Sequence, residues 1–317
     1  MIRASRLTKD YGPNRAVDDV SFNVAKGDIA GLLGPNGSGK TTIIRMLTGF
    51  FSPTAGSCMI GGIDLAEEPL AARKQIGYLP ERVALYPDMS VKAYLRFAAK
   101  VRGIERDTVS HVNDAVDKCG LRDVYTKHIG KLSRGFRQRV GIAQAIVHRP
   151  VVLILDEPTV GLDPRQIVEI RSLISDLAGE ATVLLSTHIL PEVSIVCRSV
   201  LILDHGRLIA EDTAEGLSEK TAGRGETLLK VRVADGDRTD LERAVGSCEG
   251  VDGVDVDYYD TAGMASVIIR SAPDCDVRPQ LARMVIEKGW ALDELSPRLM
   301  SLEELFVKIL DDAGHAA

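Results

Sequence analysis

Cysteine is scarce and scattered in this 317-residue sequence. Cys58, Cys119, Cys197, Cys248 and Cys275 are odd in number and none forms a Cys-x-x-Cys pair, which argues against a disulfide framework or zinc site and for free thiols or core filler. Long hydrophobic runs are missing too. The longest, around Val151 to Leu155, falls far short of the ~20 apolar residues of a membrane-spanning helix, so the chain is not expected to cross a bilayer itself. The opening MIRASRLTKDYG has basic residues but neither an apolar core nor a small-residue cleavage site, so a secretory leader is not expected and a cytosolic address is. Positive charge is in deficit: 39 Lys and Arg stand against 45 Asp and Glu, a net charge of −6, which disfavours whole-surface binding to nucleic acid. There is no internal repeat and no low-complexity tract.

What is present is ordinary globular composition, 45% hydrophobic and 26% charged, which excludes an intrinsically disordered chain. At ~150 residues per domain the length predicts about two domains. Before residue 211, short aliphatic runs (Ile29 to Leu33, Val151 to Leu155, Thr182 to Ser186, Val200 to Leu203) alternate with helical patterns, as in a mostly parallel sheet covered on both faces. Between Ser90 and Val147 such runs cease, and Val91, Tyr94, Leu95 and Ala98 at i, i+3, i+4, i+7 predict a helical insertion into this α/β domain. The polar, Gly-containing EDTAEGLSEKTAGRGE of residues 211–226 reads as a linker. Beyond it, strand, helix, two strands, helix and strand follow in βαββαβ order between Leu228 and Leu295. That order predicts a small ferredoxin-like α+β domain, and a last helix is expected from Leu302 to Leu310.

The strongest chemical signal is GPNGSGKT, comprising Gly34, Pro35, Asn36, Gly37, Ser38, Gly39, Lys40 and Thr41, with Thr42 next. It satisfies G-x-x-x-x-G-K-[ST] between a predicted strand and a predicted helix. Backbone N–H groups there can wrap phosphate oxygens, Lys40 can reach the β and γ phosphates, and the Thr41 hydroxyl can serve Mg²⁺. The second signal is VVLILDEPT, an apolar strand that delivers two carboxylates at its C-terminal end, where open α/β sheets bind ligands. Asp156 is the candidate Mg²⁺ holder, and Glu157 the candidate group to polarise an attacking water.

Between these motifs, Leu132 to Phe136 reads LSRGF and runs into RQRVGIAQAIV, which resembles the signature motif of ABC ATPases, usually LSGGQ. Other marks of the family occur in its order: Tyr11 before Gly12, GYLPE from Gly77 to Glu81, GLDP from Gly161 to Pro164, and STH from Ser186 to His188. The resemblance covers roughly residues 1–215. It implies a P-loop ABC ATPase domain over 1–215 with a helical subdomain at about 88–148; beyond it, composition and element order predict a linker over 216–226 and an accessory α+β domain over 227–317. It also implies roles. Tyr11 would stack on adenine with Val17 beside it, and Glu81 would contribute oxygen to Mg²⁺. His188 would contact the γ-phosphate and Asp163 would couple two sites. Ser133 and Gly135 would close over the nucleotide of a second subunit, with Gln138 touching its ribose.

One phosphate loop and one signature per chain then require a head-to-tail dimer with MgATP between the subunits. The chain departs from the family pattern in two places. Glu81 stands where glutamine is usual, which keeps an oxygen but adds charge and removes an amide donor. Arg134 and Phe136 stand where Gly and Gln are commonest. These variants, with the ending SLEELFVKIL, are similar to the branch that serves ABC-2-type exporters, including gliding-motility-type and drug-resistance-type ATPases.

The implied function is the ATP-hydrolysing subunit of a membrane transporter, peripheral on the inner face of the cell membrane. Its implied partners are a second ATPase subunit, in a homodimer, and an integral-membrane permease; no nucleic acid is expected. Tyr86, Pro87 and Met89 would border the groove for that permease. The alternative is a soluble ABC-type ATPase acting on ribosomes or DNA. Translation-type members usually carry two cassettes, and repair-type members insert a long coiled coil before the signature; neither feature occurs here.

Overall fold

The computed structural model describes residues 1–189, 193, 195–213, 216, 226–233, 238–258, 263–272 and 275–298. The chain divides between Ala214 and Glu215 into two compact units. The helix expected from Leu302 to Leu310, and most of the expected linker, lie outside the described residues.

The first unit is organised by a six-stranded sheet ordered β10-β9-β3-β8-β7-β6. β3 (Ile29–Leu33), β7 (Val152–Asp156) and β8 (Thr182–Thr187) are buried at every residue, so the aliphatic runs in the sequence occupy positions covered on both faces. β3 pairs in parallel with β8 and with β9 (Ser199–Asp204), and β7 pairs in parallel with β6 (Ile76–Leu79) and β8. Only β10 (Arg207–Asp212), at one edge, is antiparallel to its neighbour.

A second, antiparallel sheet is ordered β2-β1-β4-β5, from β1 (Ile2–Tyr11), β2 (Asn14–Val24), β4 (Ala55–Ile60) and β5 (Ile63–Asp64). No periodicity in the sequence predicts this sheet. Its alternation is interrupted: the β1 register shifts beyond Ala4 and beyond Leu7, and Arg6 and Asp19 adopt φ of 48° and 52°. The close approach of Gly56 to β1 permits no side chain, since a Cβ there would stand 2.2 Å from the Arg6 carbonyl oxygen.

Helix α1 (Lys40–Leu47) belongs to the core that both sheets share. Ile43, Ile44, Met46 and Leu47 are fully buried with Ile2, Leu7 and Val20 of one sheet and Leu184 and Leu201 of the other. At about 1.5–3 kcal/mol per buried aliphatic side chain, this packing holds the helix start in place. Helix α2 (Pro69–Lys74) precedes β6.

The helical insertion consists of α3 (Val91–Val101), α4 (Thr108–Lys118) and α5 (Arg134–Ile146). α3 begins at Ser90, whose side chain accepts a hydrogen bond from Ala93 N, and it buries Val91, Tyr94, Leu95 and Ala99. The stripe therefore ends one residue beyond the expected Ala98. α6 (Pro164–Leu177) follows β7 and is capped by Asp163, which accepts from Gln166 N at 2.9 Å.

In the second unit β11 (Glu226–Arg232), α7 (Arg238–Gly246), β12 (Val251–Tyr258), β13 (Met264–Ser271), α8 (Arg278–Glu287) and β14 (Ala291–Pro297) follow in βαββαβ order. The sheet is antiparallel, ordered β12-β13-β11-β14, the ferredoxin-like arrangement. Leu229, Val231, Val267 and Ile269 pack with Leu241, Leu281, Val285 and Trp290. Among the described residues all five cysteines are free thiols, and no helix is long and apolar enough to cross a membrane.

Candidate functional site

The loop between β3 and α1 depends on glycine for its shape. Gly37 and Gly39 take φ of 86° and 105°, where a β-carbon is disfavoured, and a Cβ on Gly34 would stand 2.4 Å from the Leu203 carbonyl oxygen. Gly39 occupies the N-cap of α1 and supplies no side-chain acceptor, so the helix start presents N–H groups to whatever lies before it. Ser38 Oγ is buried and has no protein partner. Lys40 is buried and donates through Nζ to the carbonyl oxygens of Gly34 (2.6 Å) and Pro35 (3.1 Å). Burial lowers its pKa, while the charges of Glu157 and Asp156 pull the other way. The loop thus concentrates unsatisfied donors and one cation, the chemistry that binds a polyanion.

The acidic half of the site comes from the C-terminal ends of β7 and β8. Asp156 is buried and accepts from Ser186 Oγ at 2.5 Å. Glu157 leaves the strand at φ 49°, a left-handed conformation that costs a non-glycine residue roughly 1–2 kcal/mol. Ser186 offsets that cost: the Glu157 N–H donates to Ser186 O and Ser186 Oγ, both at 3.1 Å. His188 Nδ1 lies 3.0 and 3.1 Å from the Glu157 carboxylate oxygens. Burial raises the pKa of both acids. The Ser186 hydrogen bond opposes the rise at Asp156 and His188 opposes it at Glu157, whereas the charge of Glu81 adds to it at Asp156.

Ser186, the first residue of the STH motif, ties two acids to the neighbouring strand. Ser186→Ala should remove the two Oγ contacts, leave the Glu157 N–H on the Ser186 carbonyl, and cost about 1–3 kcal/mol, the penalty for leaving the buried Asp156 oxygen unpaired. Urea denaturation of the full chain measures it as a lowered midpoint at unchanged m-value.

Lys40, Thr41, Glu81, Glu157 and His188 line one cavity of about 380 Å³ together with Asn36, Gly37, Ser38, Gly39 and Thr42. Gly34 and Pro35 stand behind it and hold Lys40 through their carbonyls. Asp156 lies beneath, bonded to Ser186. Among the described residues no three His, Cys, Asp or Glu side chains are close enough to hold a metal by themselves.

Other expected site residues lie elsewhere. Tyr11 is exposed, with its ring set edge-on to Phe51 at 6.1 Å between centroids. Val17 is fully buried in the core, so it has no face to offer a base, and its neighbour Ala16 lines the cavity instead. Ser133 is the exposed N-cap of α5, and Gly135 is buried beneath Gln166. Gln138 donates from its amide nitrogen to the Pro158 carbonyl at 2.7 Å within its own chain. Neither Ser133, Gly135, Gln138 nor Asp163 lines the cavity.

Over 312 residues the chain is 34% identical to the bacitracin transport ATP-binding protein BcrA of Bacillus licheniformis, a match covering 98% of this chain and 97% of that protein. The chain belongs to the ABC transporter ATP-binding proteins. The family model described as ABC transporter matches residues 17–160, from within β2 to the loop after Glu157. The linearmycin resistance ATP-binding protein LnrL of Bacillus subtilis is 33% identical over 236 residues, 74% of this chain and 75% of its own length. A solved ATP-binding subunit of an ABC transporter superposes with a TM-score of 0.63 at 31% identity, covering 69% of this chain and 92% of that one. This subunit is therefore an ATPase of the P-loop ABC class that binds adenine nucleotide. The match to the bacitracin protein runs through the second unit as well as the first.

Proposed function

We propose that this ATP-binding subunit powers an ABC-2-type exporter, working as a head-to-tail dimer on a separate membrane-spanning subunit. The observation that carries the dimer is the separation of the two halves of the expected site. The cavity has a phosphate loop and a base but no signature residue, while Ser133, at the N-terminal end of the 13-residue helix α5, is exposed. A second copy would present its own Ser133 and Gly135 to the γ-phosphate.

In the proposed reaction Glu157 takes a proton from water as the water oxygen attacks the γ-phosphorus, and the bond from that phosphorus to the β–γ bridging oxygen breaks to leave ADP and phosphate. His188 orients the Glu157 carboxylate and faces the γ-phosphate. Lys40 and the N–H groups at the start of α1 hold the charge that spreads over the transferred oxygens. The donor set fits Mg²⁺. The Thr41 hydroxyl and the Glu81 and Asp156 carboxylates are hard oxygens, the two acids repel one another, and Mg²⁺ normally completes its shell with substrate phosphate and water. Bound there, the ion would neutralise phosphate charge.

The membrane partner has a candidate seat. A hollow beside α3 is lined by Ala84, Tyr86, Tyr94, Phe97, Ala98 and Val101, of which Tyr86, Phe97 and Val101 are exposed apolar side chains. Tyr86 and Phe97 meet edge to face at 5.8 Å, a preformed apolar wall suited to a short helix of the membrane subunit. Pro87 lines a different hollow, next to Arg134. The names of the two relatives, bacitracin transport and linearmycin resistance, favour extrusion.

The experiment is purification of the tagged full chain from gently solubilised membranes. A multi-span protein in stoichiometric yield is the expected result, and a Tyr86→Glu/Phe97→Glu variant should lose it while still binding ATP. Recovery solely with ribosomes or DNA would overturn the transporter reading and leave the ATPase intact.

A further inference from the structure

The N-terminal turns of α5 do more than face outward. Arg134 donates from Nη2 to the Val160 carbonyl at 2.9 Å, and Gln138, one helical turn further on, donates from Nε2 to the Pro158 carbonyl at 2.7 Å. The i, i+4 spacing puts both donors on one side of the helix. The guanidinium also lies flat against Gly161: a Cβ built there would sit 2.3 Å from Arg134 Cζ, and Gly161 has φ +71°. α5 itself is tied down further along, where Arg139 bonds Glu169 of α6 and the Cys119 carbonyl.

The segment gripped in this way begins immediately after Glu157, whose backbone is in the left-handed region. It closes on itself through Val160 N to Glu157 O at 3.3 Å and Leu162 N to Thr159 O at 3.2 Å. Val160 lines the phosphate cavity on one side and the hollow beside Arg134 and Gln138 on the other. A displacement of the Pro158 and Val160 carbonyls would therefore be felt at Glu157.

We propose that Arg134 and Gln138 are positioning residues, a two-point clamp through which the signature helix holds the loop after β7 and, with it, the Glu157 carboxylate of the same subunit. The arginine that replaces the commoner glycine of the signature is one jaw of the clamp. Gln138 acts within its own subunit. The inference rests on Glu157 being the base, and the test reads the clamp separately from the chemistry.

The variants are Arg134→Ala, Gln138→Glu, the double variant and Arg134→Lys in the full chain, each checked for folding by thermal melt. Amide hydrogen exchange on the nucleotide-free protein should show Val160 and Leu162 exchanging faster in the first three variants. ATPase assays should show kcat about tenfold lower in the double variant with KM for ATP within twofold, a split that separates positioning from nucleotide binding. Arg134→Lys, which keeps a donor, should recover part of the loss. Unchanged exchange would overturn the clamp, and faster exchange with unchanged kcat would overturn its link to Glu157. A KM that rises in step with the loss would make Arg134 a nucleotide ligand instead. Failure of Glu157 as the base would appear independently in the Glu157→Gln enzyme. If the double variant does not fold, the single substitutions carry the same exchange and kinetic readouts.

Discussion

Replacing Glu157 with glutamine is expected to lower kcat at least about 10²-fold, the lower end of what a positioned general base contributes, while ATP binding persists. Glutamine keeps the shape and an oxygen toward His188, but its amide cannot take a proton from water. With hydrolysis blocked and the phosphate loop intact, ATP should hold two subunits together, so size-exclusion chromatography with ATP should show a dimer that the native protein forms only transiently. A Glu157→Gln protein that turns over at the native rate would remove Glu157 from the mechanism. The native enzyme carries a companion signature. Burial raises the Glu157 pKa, and the base must be ionised to act, so the acid limb of the kcat profile should lie at higher pH than an ordinary glutamate would give. As pH falls through the raised pKa, the proton occupies the carboxylate and activity is lost.

Lys40→Met should act on the other half of the reaction. The change conserves volume but removes the buried cation. A charge-assisted hydrogen bond of about 1.5–3 kcal/mol corresponds to a loss in ATP affinity of roughly 10- to 150-fold, measurable by calorimetry. The nucleotide-free protein should not be destabilised in proportion. Burial lowers the Lys40 pKa below that of the free side chain, so protonated Lys40 costs stability at pH below its folded pKa. That cost fades as pH rises from the folded toward the unfolded value. Thermal melts should therefore show the variant holding its nucleotide-free midpoint near neutral pH while losing most of the rise that ATP gives the native chain. Undiminished ATP affinity would count against Lys40 as a phosphate contact.

Legibility followed sequence distance and amphipathic regularity. β3, β7 and β8 could be read because strands buried on both faces are unbroken aliphatic runs, and α3 because its stripe repeats at helical spacing. β1 and β2 could not. Their alternation is interrupted where Arg6 and Asp19 take positive φ, so a period of two survives only in short stretches, Ile2–Ser5 and Val20–Val24. The placement of Val17 was hidden for a related reason. Adjacent strand residues point to opposite faces, and the register decides that Val17 enters the core while Ala16 lines the cavity.

By itself the sequence determined the chemistry that contiguous residues can encode: a glycine loop with Lys40 at a helix start, two acids at a strand end, and the signature Ser133 at the head of α5. The βαββαβ order of the second unit was equally local, since each element is written in its own run of residues. Tertiary structure alone decided which distant groups complete these pieces. Ser186 restrains Asp156 and Glu157 because β8 lies beside β7 in parallel register, and Gln138 reaches Pro158 because α5 passes the loop that follows β7. Such contacts join residues far apart along the chain through hydrogen bonds about 3 Å long. Propensity and periodicity describe only neighbours, so no reading of local pattern could place them.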